Sequence, residues 1–264
     1  MYTTEMSNSV SNPVSSGLSY SDIPETSIPL YIQIAEKLIS QIETGELAPG
    51  DRLLPERELS EKLGINRMTL RRALRVLEYQ GLVVRKHGVG TFIGEPKIDR
   101  PMDVLFRFTR GMQKRGLTPG AKMISFEQTP VDAGIGRDLG IPPSSPVYKI
   151  LRLRTINKEP VMLEGYTIPV QLFPGLGSYD LEKRSIYEVM ETEFGVKIAR
   201  ARQSFEPVVA TAFEAELLGV WVGAPLMLEK RVSFDKDNNP VEYGKDRYRG
   251  DRFRFIAEAA PFDF

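Results

Sequence analysis

The chain contains no cysteine and only one histidine, His87, among its 264 residues. Without cysteine it can form neither a disulfide bond nor a thiolate metal site, and this composition is typical of a cytoplasmic protein. Because the histidine lies in the first half, the second half has no His-based catalytic triad, no thiol nucleophile and no His/Cys metal site. We therefore expect no catalytic residue, no metal and no cofactor.

The chain also lacks long apolar runs and any excess of charge. No apolar stretch approaches the roughly 20 residues that cross a bilayer, and the N-terminus lacks the basic-then-apolar pattern of a signal peptide, so we expect no membrane association. The 35 Lys and Arg residues balance 35 Asp and Glu residues. This balance argues against a protein that coats DNA and favours a basic surface confined to one face. A length of 264 residues suggests two domains.

The first 28 residues contain neither lysine nor arginine and are rich in Ser, Thr, Asn and Pro. They offer too little apolar surface to form a core, so we predict a disordered tail over residues 1–28. From residue 29 onward, apolar residues at i, i+4 spacing predict a helix that ends near Gly45.

Positive charge is concentrated between Asn66 and Thr91, where six Lys or Arg residues accompany a single acidic residue. A helix is predicted from Asn66, a favourable N-cap, to Gly81, a favourable C′ residue. Its apolar residues recur at i, i+3, i+4 and i+7, which leaves its arginines on the outer face and in the first turn. A shorter predicted helix, residues 56–63, precedes it across a short turn, as in a helix-turn-helix whose second helix enters the major groove.

A hairpin is predicted directly after this helix, because residues 82–86 and 91–93 flank His87-Gly88-Val89-Gly90. Two glycines in four residues permit the positive φ values of a tight tip, so the sequence predicts a wing with a basic approach. The alternative is that the arginines form only a solvated helix face, as most charge runs do. The preceding helix and the wing favour a DNA-binding unit.

Residues 30–93 resemble the winged helix-turn-helix of the GntR family of bacterial transcription regulators. The motifs that carry the resemblance are Leu30-Tyr31-Ile32-Gln33-Ile34, Gly45-x-Leu47-x-Pro49-Gly50-Asp51-x-Leu53, Glu56-Arg57-Glu58-Leu59, Asn66-Arg67-x-Thr69-x-Arg71-x-Ala73-Leu74 and Gly88-x-Gly90-Thr91-Phe92. Pro55 and Met68 depart from the family pattern, which usually has a hydroxyl residue at both positions.

The resemblance implies double-stranded DNA as a partner. Our hypothesis is that two subunits form a homodimer through their second domains and present two recognition helices to a palindromic operator. The residues that it implies for DNA contact are Arg57, Arg67, Thr69 and Arg71 in the helices and His87, Gly88 and Gly90 at the wing tip.

We predict a DNA-binding domain over residues 29–94, a linker over 95–101 and a second domain over 102–264. The second domain is rich in β segments separated by turns and short helices, which predicts an α+β fold around an antiparallel sheet. Strands are predicted at 122–128, 147–156, 161–168, 196–205, 226–234, 241–248 and 252–257, and helices at 106–115, 132–139, 185–194 and 211–218.

Arginines on an otherwise apolar strand are the first chemical signal of the second domain. Alternation with period 2 places Arg152 and Arg154 on the same strand face. Two guanidinium groups there suit a phosphate or a carboxylate. The alternative is a solvent-facing strand with ordinary arginines, in which Glu164 on the next strand is their ion-pair partner.

A second polar face is predicted further along the chain. Residues 242, 244, 246 and 248 share one strand face, and the absence of a side chain at Gly244 leaves room for a ligand between Glu242 and Tyr248, which can bind hydroxyls or amides. The alternative is a cross-strand polar pair, with Gly244 at a β-bulge.

Residues 102–259 resemble the UTRA effector domain of HutC-type GntR regulators, whose fold is similar to that of chorismate pyruvate-lyase. The residues that carry the resemblance are Phe108-Thr109 with Met112 and Gly116, Arg152-Leu153-Arg154, Glu164-x-Tyr166-x-Ile168-Pro169, Ser185-Ile186-Tyr187, Glu214-x-x-Leu217-Leu218-Gly219 and Tyr248-Arg249-Gly250-Asp251-Arg252. The implied effector-binding residues are Phe108, Thr109, Arg152, Arg154, Glu164, Ser185, Glu242 and Tyr248.

This resemblance implies a transcription regulator that responds to a small anionic metabolite, and it favours a repressor over an activator. We expect a phosphorylated amino sugar, such as glucosamine 6-phosphate or its N-acetyl form, whose phosphate meets the arginines and the hydroxyls of Thr109 and Ser185. A regulator that senses a carboxylate such as urocanate would use the same arginines. Another alternative is an enzyme of chorismate-lyase-like fold, in which Glu164 and Glu242 would do acid–base work. A third is a constitutive architectural DNA-binding protein, whose DNA binding would not depend on an effector.

Overall fold

The computed structural model describes residues 27–86, 88–102 and 108–258. The chain divides into two compact units, Met1–Lys97 and Ile98–Phe264, which we call the N-terminal unit and the C-terminal unit. Residues 1–26 of the predicted tail lie outside the described part of the chain.

The described residues of the N-terminal unit form three helices and a hairpin. Their bounds are α1 Leu30–Glu43, α2 Glu56–Lys62, α3 Arg67–Tyr79, β1 Val83–Lys86 and β2 Gly90–Ile93. The start of α3 agrees with the predicted N-cap, because the Asn66 side chain accepts a hydrogen bond from the Thr69 amide at 2.8 Å. The predicted apolar stripe of α3 is buried with residues of α1 and α2 in one core, and β1 pairs with β2 antiparallel.

The described residues of the C-terminal unit form four helices, a short 3-10 helix at Leu176–Ser178 and eight strands. Their bounds are β3 Ile98–Pro101, α4 Phe108–Gln113, β4 Pro119–Pro130, α5 Ala133–Leu139, β5 Pro146–Ile156, β6 Glu159–Pro169, α6 Ile186–Phe194, β7 Arg200–Val209, α7 Ala212–Leu218, β8 Pro225–Phe234, β9 Pro240–Arg249 and β10 Phe253–Ile256.

Six of these strands form one antiparallel sheet in the order β4-β5-β6-β9-β8-β7. The hairpin between β5 and β6 turns at Asn157 and Lys158, which both have positive φ, as a two-residue turn compatible with strand twist requires. The sheet separates two apolar clusters. One contains Ile150 and α6, and the other contains Leu153 and α7, so β5 alternates between the clusters as its sequence predicts.

The structure differs from the sequence expectation at β3. Its residues were assigned to the linker, yet they pair in parallel with β10, and neither strand belongs to the antiparallel sheet. Ile98 and Arg100 are buried, and Asp99 and Pro101 are partly exposed. A four-residue strand with an arginine on its buried face has no apolar alternation that sequence could reveal.

Other boundaries differ as well. The strand predicted at 122–128 is β4, which runs from Pro119 to Pro130. The strand predicted at 196–205 is β7, which runs from Arg200 to Val209 because residues up to Val209 remain paired with β8. The helix predicted at 106–115 is described from Phe108 as α4, and residues 106 and 107 lie outside the described part of the chain.

Candidate DNA-binding surface and effector cavity

The outer face of α3 carries exposed cations. Arg67, Arg72 and Arg75 are exposed, whereas the Thr69 side chain is half-buried and donates its hydroxyl to Asn66 Oδ1 at 3.0 Å. The first turn of this fully described helix has no acidic residue. The positive end of the helix dipole is therefore not offset there, and it favours a phosphate.

Two of the predicted DNA contacts already hold ion pairs. Arg57 Nε lies 3.0 Å from Glu61 Oε1, and Arg71 Nε lies 2.8 Å from Glu56 Oε2. The Arg57 and Glu61 side chains are 75% and 64% exposed, and exposed ion pairs contribute only about 0–1 kcal/mol, so a DNA phosphate can compete for Arg57. The Arg71 side chain is 48% exposed, but its partner Glu56 is only 17% exposed. Glu56 also accepts Arg85 Nη2 at 3.1 Å, which connects α2 and α3 to the hairpin.

The wing tip depends on glycine and on an arginine that sequence reasoning missed. Gly88 and Gly90 have φ values of 71° and 146°. Arg52 donates from Nη2 to the Val89 carbonyl at 2.7 Å, and a Cβ on Gly90 would lie 2.9 Å from Arg52 Nε. Glycine at position 90 therefore lets Arg52 support the tip. His87 lies outside the described residues.

A cavity in the C-terminal unit lies between α4, the start of α6 and the central strands of the sheet. Six of the eight predicted effector-binding residues line it, whereas Arg152 and Glu242 do not. The lining residues are Phe108, Thr109, Arg154, Met162, Glu164, Tyr166, Ser185, Tyr187, Arg231, Asp246 and Tyr248.

Glu164 joins several groups beside this cavity. Its Oε2 accepts hydrogen bonds from Arg152 Nε at 3.0 Å and from Arg154 Nη1 at 3.1 Å, and its Oε1 accepts from the Tyr166 hydroxyl at 2.8 Å. Burial alone would raise the pKa of Glu164, but Arg152, Arg154 and Arg231 lower it to about 2. Glu164 is therefore a carboxylate at neutral pH. The alternative of a solvent-facing strand correctly named Glu164 as the ion-pair partner of the two arginines. The strand face that carries the arginines is nevertheless buried.

Arg152 lies behind the cavity wall. It is 1% exposed, and it donates to Glu164 and, from Nη1, to the Leu181 carbonyl at 2.5 Å. Because this carbonyl belongs to the segment before α6, Arg152 connects that segment to Glu164. Its position indicates support of the site, and the paired grip expected from the two strand arginines is not what the structure shows.

Arg154 is the strand arginine that faces the cavity. It donates from Nη2 to Thr109 Oγ1 at 2.8 Å and from Nε to the Gly120 carbonyl at 3.1 Å. Its Cζ lies 4.4 Å from the centroid of the Phe108 ring. The start of α4 therefore brings a hydroxyl and an aromatic face against a buried guanidinium.

Arg231 occupies the space that the sequence assigned to a ligand. A Cβ on Gly244 would collide with the Arg231 guanidinium, so the prediction that Gly244 makes room for a ligand was wrong. Arg231 donates to Glu242 Oε1 from Nη2 at 3.0 Å, to Tyr187 Oη from Nε at 2.9 Å, and to Asp246 from Nη1. Glu242 is fully buried, and it reaches the cavity only through these partners.

Asp246 and Tyr248 line the cavity from β9. Burial raises the pKa of Asp246 to about 7, against the opposing effect of Arg231 and with the support of Glu229 and Glu164. Tyr248 lines the cavity, and its hydroxyl donates to Glu229 Oε2 at 2.9 Å. The expected contact of this hydroxyl with a ligand is thus replaced by a bond to the protein.

The residues that sequence reasoning missed had a detectable signal. Glu229, Arg231 and Ser233 alternate along β8 and are all buried, so period 2 places them on one strand face, opposite a face that is apolar except for Lys230. Tyr187 and Asp246 gave weaker signals, because each lies beside residues that were already singled out.

Ser185 is the N-cap residue of α6, and its side chain makes no capping hydrogen bond. Ser185 lines the cavity, so α6 begins beside it. Among the described residues, no cluster of His, Cys, Asp or Glu could hold a metal ion, and no helix there is long and apolar enough to cross a membrane.

Comparison with known families gives two matches. Residues 30–93 match the family described as bacterial regulatory proteins, gntR family, and residues 114–254 match the UTRA domain. The chain is 39% identical over 232 residues to the HTH-type transcriptional repressor NagR of Bacillus subtilis, which covers 88% of this chain and 95% of that protein.

The chain belongs to the gntR family of bacterial regulatory proteins.

Other similar proteins support this assignment. The mannosyl-D-glycerate transport/metabolism system repressor MngR of Escherichia coli is 30% identical over 227 residues, which is 86% of this chain and 94% of that protein. The crystal structure of PhnF from Mycobacterium smegmatis has a TM-score of 0.62 and 30% identity, over 86% of this chain and 99% of that one. This gntR-family chain is a DNA-binding transcription regulator with a UTRA domain, and the enzyme alternative is set aside because its relatives are regulators.

Members of the family bind operator DNA and small-molecule effectors. The fold expectation, a winged helix-turn-helix followed by an α+β UTRA domain, is confirmed.

Proposed function

We propose that this regulator is a cytoplasmic, homodimeric repressor whose binding to a palindromic operator is modulated by a phosphorylated amino sugar. The observation that carries the proposal is the composition of the cavity, where the guanidinium groups of Arg154 and Arg231 lie with hydroxyls and carboxylates. Such a mixed lining suits a ligand with an anionic group at one end and hydroxyl donors at the other.

The phosphate is assigned to the side of the cavity formed by α4 and α6. Arg154 is positioned there by Thr109, and Ser185 begins a nine-residue helix whose first amides favour an anion. Arg152 supports this side from behind by its bond to the Leu181 carbonyl. For the phosphate oxygens, Arg154 would provide its guanidinium group, Thr109 and Ser185 would provide hydroxyls, and the start of α6 would provide backbone donors.

The sugar is assigned to the opposite side, where acceptors predominate. Glu164 and Asp246 line the cavity and accept hydrogen bonds from hydroxyls when they are ionised. Phe108 and Tyr248 add aromatic faces for the apolar side of the sugar ring. Glu242 acts indirectly, because it holds Arg231.

The operator is assigned to α3 and the wing. Arg67 and Thr69 lie at the start of α3, Arg57 and Arg71 are accessible beside them, and the predicted tip contacts His87, Gly88 and Gly90 complete the surface. Two such units in a dimer would read half-sites about one helical turn, roughly 34 Å, apart.

Replacing Arg154 with alanine is expected to weaken binding of N-acetylglucosamine 6-phosphate about 10- to 100-fold, because hydrogen bonds to charged groups contribute about 1.5–3 kcal/mol. Glu164 keeps Arg152 as a partner, so the variant should fold and bind operator DNA normally. Isothermal titration calorimetry measures the first effect and fluorescence anisotropy with a labelled duplex measures the second.

Arg137→Ala is the matched control, since it removes an exposed arginine from α5. Wild-type protein should also be titrated with glucosamine 6-phosphate, unphosphorylated N-acetylglucosamine and urocanate. Binding of urocanate in place of the sugar phosphates would identify a carboxylate effector, and an unchanged affinity of the Arg154 variant would remove Arg154 from the site.

Replacing Arg67 with alanine is expected to cost about 1–3 kcal/mol of operator affinity if Arg67 reads a base. A side chain that contacts only phosphate would instead weaken binding to all sequences equally and reduce the salt dependence. Anisotropy titrations against operator and scrambled duplexes at several salt concentrations separate these outcomes. Operator affinity equal to that of Arg137→Ala would contradict the placement of Arg67.

A further inference from the structure

A second buried ion pair lies just outside the cavity. Arg100 Nη2 lies 2.8 Å from both carboxylate oxygens of Glu229, and the two residues are 1% and 0% exposed. The Arg100 Cζ lies 5.1 Å from the ring centroids of Phe205 and Tyr248 and 5.2 Å from that of Phe255. Removing an ion pair from water carries a large desolvation cost, so its presence is weak evidence for a role in stability alone.

Arg100 lies where the C-terminal unit begins. β3 starts at Ile98, and only Gly94–Lys97 separate it from β2 of the N-terminal unit. β3 pairs with β10 and not with the six-stranded sheet. The ion pair with Glu229 therefore attaches the first segment of the C-terminal unit to β8, a strand inside that sheet.

Glu229 also contacts the wall of the effector cavity. Its Oε2 accepts the Tyr248 hydroxyl at 2.9 Å, and its Oε1 accepts Gln203 Nε2 at 2.9 Å. Burial and the charge of Glu229 hold the pKa of Tyr248 well above its ordinary value, so this hydroxyl remains a donor. Since Tyr248 lines the cavity, one carboxylate is shared by the cavity wall and by the strand that follows the DNA-binding unit.

We propose that Arg100 and Glu229 are positioning residues that transmit occupancy of the cavity to the operator-binding unit, an inference that rests on the proposed effector site. A ligand against the Tyr248 ring changes how its hydroxyl competes with Arg100 for the oxygens of Glu229. The strength of the ion pair by which Glu229 anchors Arg100 of β3 changes as a result. The four residues before β3 leave little slack to absorb that change, so the N-terminal unit responds.

The test uses the double variant Arg100→Met, Glu229→Gln in the full-length chain. Removing both partners leaves no uncompensated buried charge, so the fold should survive. Neither residue lines the cavity. N-acetylglucosamine 6-phosphate should bind the variant within about threefold of wild type in the absence of DNA. Coupling is measured as the ratio of the operator affinity without the sugar phosphate to the operator affinity at saturating sugar phosphate. In the double variant this ratio should fall towards one, at least tenfold below the wild-type ratio.

The matched control removes a different ion pair of β3, one that joins it to β10 instead of β8. Arg254 Nε lies 2.8 Å from Asp99 Oδ1, and the two side chains are 64% and 43% exposed. Because this pair has no bond to Glu229 or Tyr248 among the described contacts, the double variant Asp99→Asn, Arg254→Met should keep the wild-type ratio. A loss of coupling in both double variants, or in neither, would overturn the proposal.

A second measurement needs no effector. Hydrogen exchange of the peptide that covers residues 94–102 should accelerate at least tenfold in the Arg100/Glu229 double variant, while peptides of β5 and β6 keep their wild-type rates. Unchanged exchange would overturn the anchoring role. If wild-type protein binds no sugar phosphate, the proposed effector is wrong, and the exchange measurement still decides whether Glu229 anchors β3.

Discussion

Replacing Glu164 with glutamine should lower the free energy of unfolding of the C-terminal unit by about 3–5 kcal/mol, because removing one partner of a buried ion pair leaves an uncompensated charge. Here two guanidinium groups, those of Arg152 and Arg154, lose their shared carboxylate. In a unit of this size the loss corresponds to a fall of about 10 °C in Tm. Differential scanning calorimetry at pH 7 measures it.

Glu206→Gln provides the control for this substitution. Glu206 pairs with Lys230 at 2.8 Å, but their side chains are 49% and 37% exposed, so its loss should cost less than about 1 kcal/mol. A loss for Glu164→Gln no larger than the control would mean that the arginines find water or another acceptor.

The pKa of Glu164 also predicts how this loss of stability depends on pH. The pKa of Glu164 in the folded chain is lowered to about 2, below the ordinary value of about 4.3 in an unfolded chain. Its contribution to stability is therefore complete above about pH 4–5 and is lost as the pH falls towards 2. The difference in stability between wild type and Glu164→Gln should shrink over that range. A difference that stays constant from pH 6 to pH 3 would contradict the assigned charge state.

The N-terminal unit was largely predictable because its signals are local. The N-cap at Asn66, the apolar stripe of α3 and the glycines of the wing all act within a few residues of one another. Short-range hydrogen bonds and backbone preferences determine such features. The ion pairs of Arg71 and Arg85 with Glu56 were not predictable, since they depend on how α2 packs against α3 and the hairpin.

The roles of the cavity residues could not be predicted from local sequence signals. The residue types of the site were visible in the sequence, but their roles depend on strand register. Glu164 lies directly across from Arg152, which makes it a partner of the arginines as well as part of the lining. Arg231 lies directly across from Gly244, so the glycine accommodates a guanidinium. Register is set by the whole sheet and not by any one strand.

β3 escaped prediction for a related reason. Its partner β10 lies about 150 residues later in the chain, at Phe253–Ile256. Its arginine is buried only because Glu229 and three aromatic rings meet it there. No pattern within residues 95–101 distinguishes such a strand from a polar linker.

Asp246 is the group from which we expect the clearest pH dependence near neutrality. Burial raises its pKa to about 7 in the folded chain, whereas an unfolded aspartate titrates near 3.9. Between these values the folded chain holds a proton that the unfolded chain has released. The contribution of Asp246 to stability therefore falls as the pH rises from about 4 to 7. Arg231 and the Gly165 amide at 3.1 Å contact its carboxyl oxygens.

Replacing Asp246 with asparagine should therefore raise stability relative to wild type by about 2 kcal/mol more at pH 8 than at pH 5, since one pKa unit corresponds to about 1.4 kcal/mol. Asparagine resembles the protonated aspartic acid, so the difference between the two proteins should open near pH 4, widen through pH 5 and pH 6 and level off above pH 7. Thermal melts of both proteins from pH 5 to pH 8 measure the divergence, with Asp138→Asn, from an exposed pair with Arg202, as the control. Parallel curves for wild type and Asp246→Asn would show that Asp246 is already ionised at pH 5 and that Arg231 outweighs its burial.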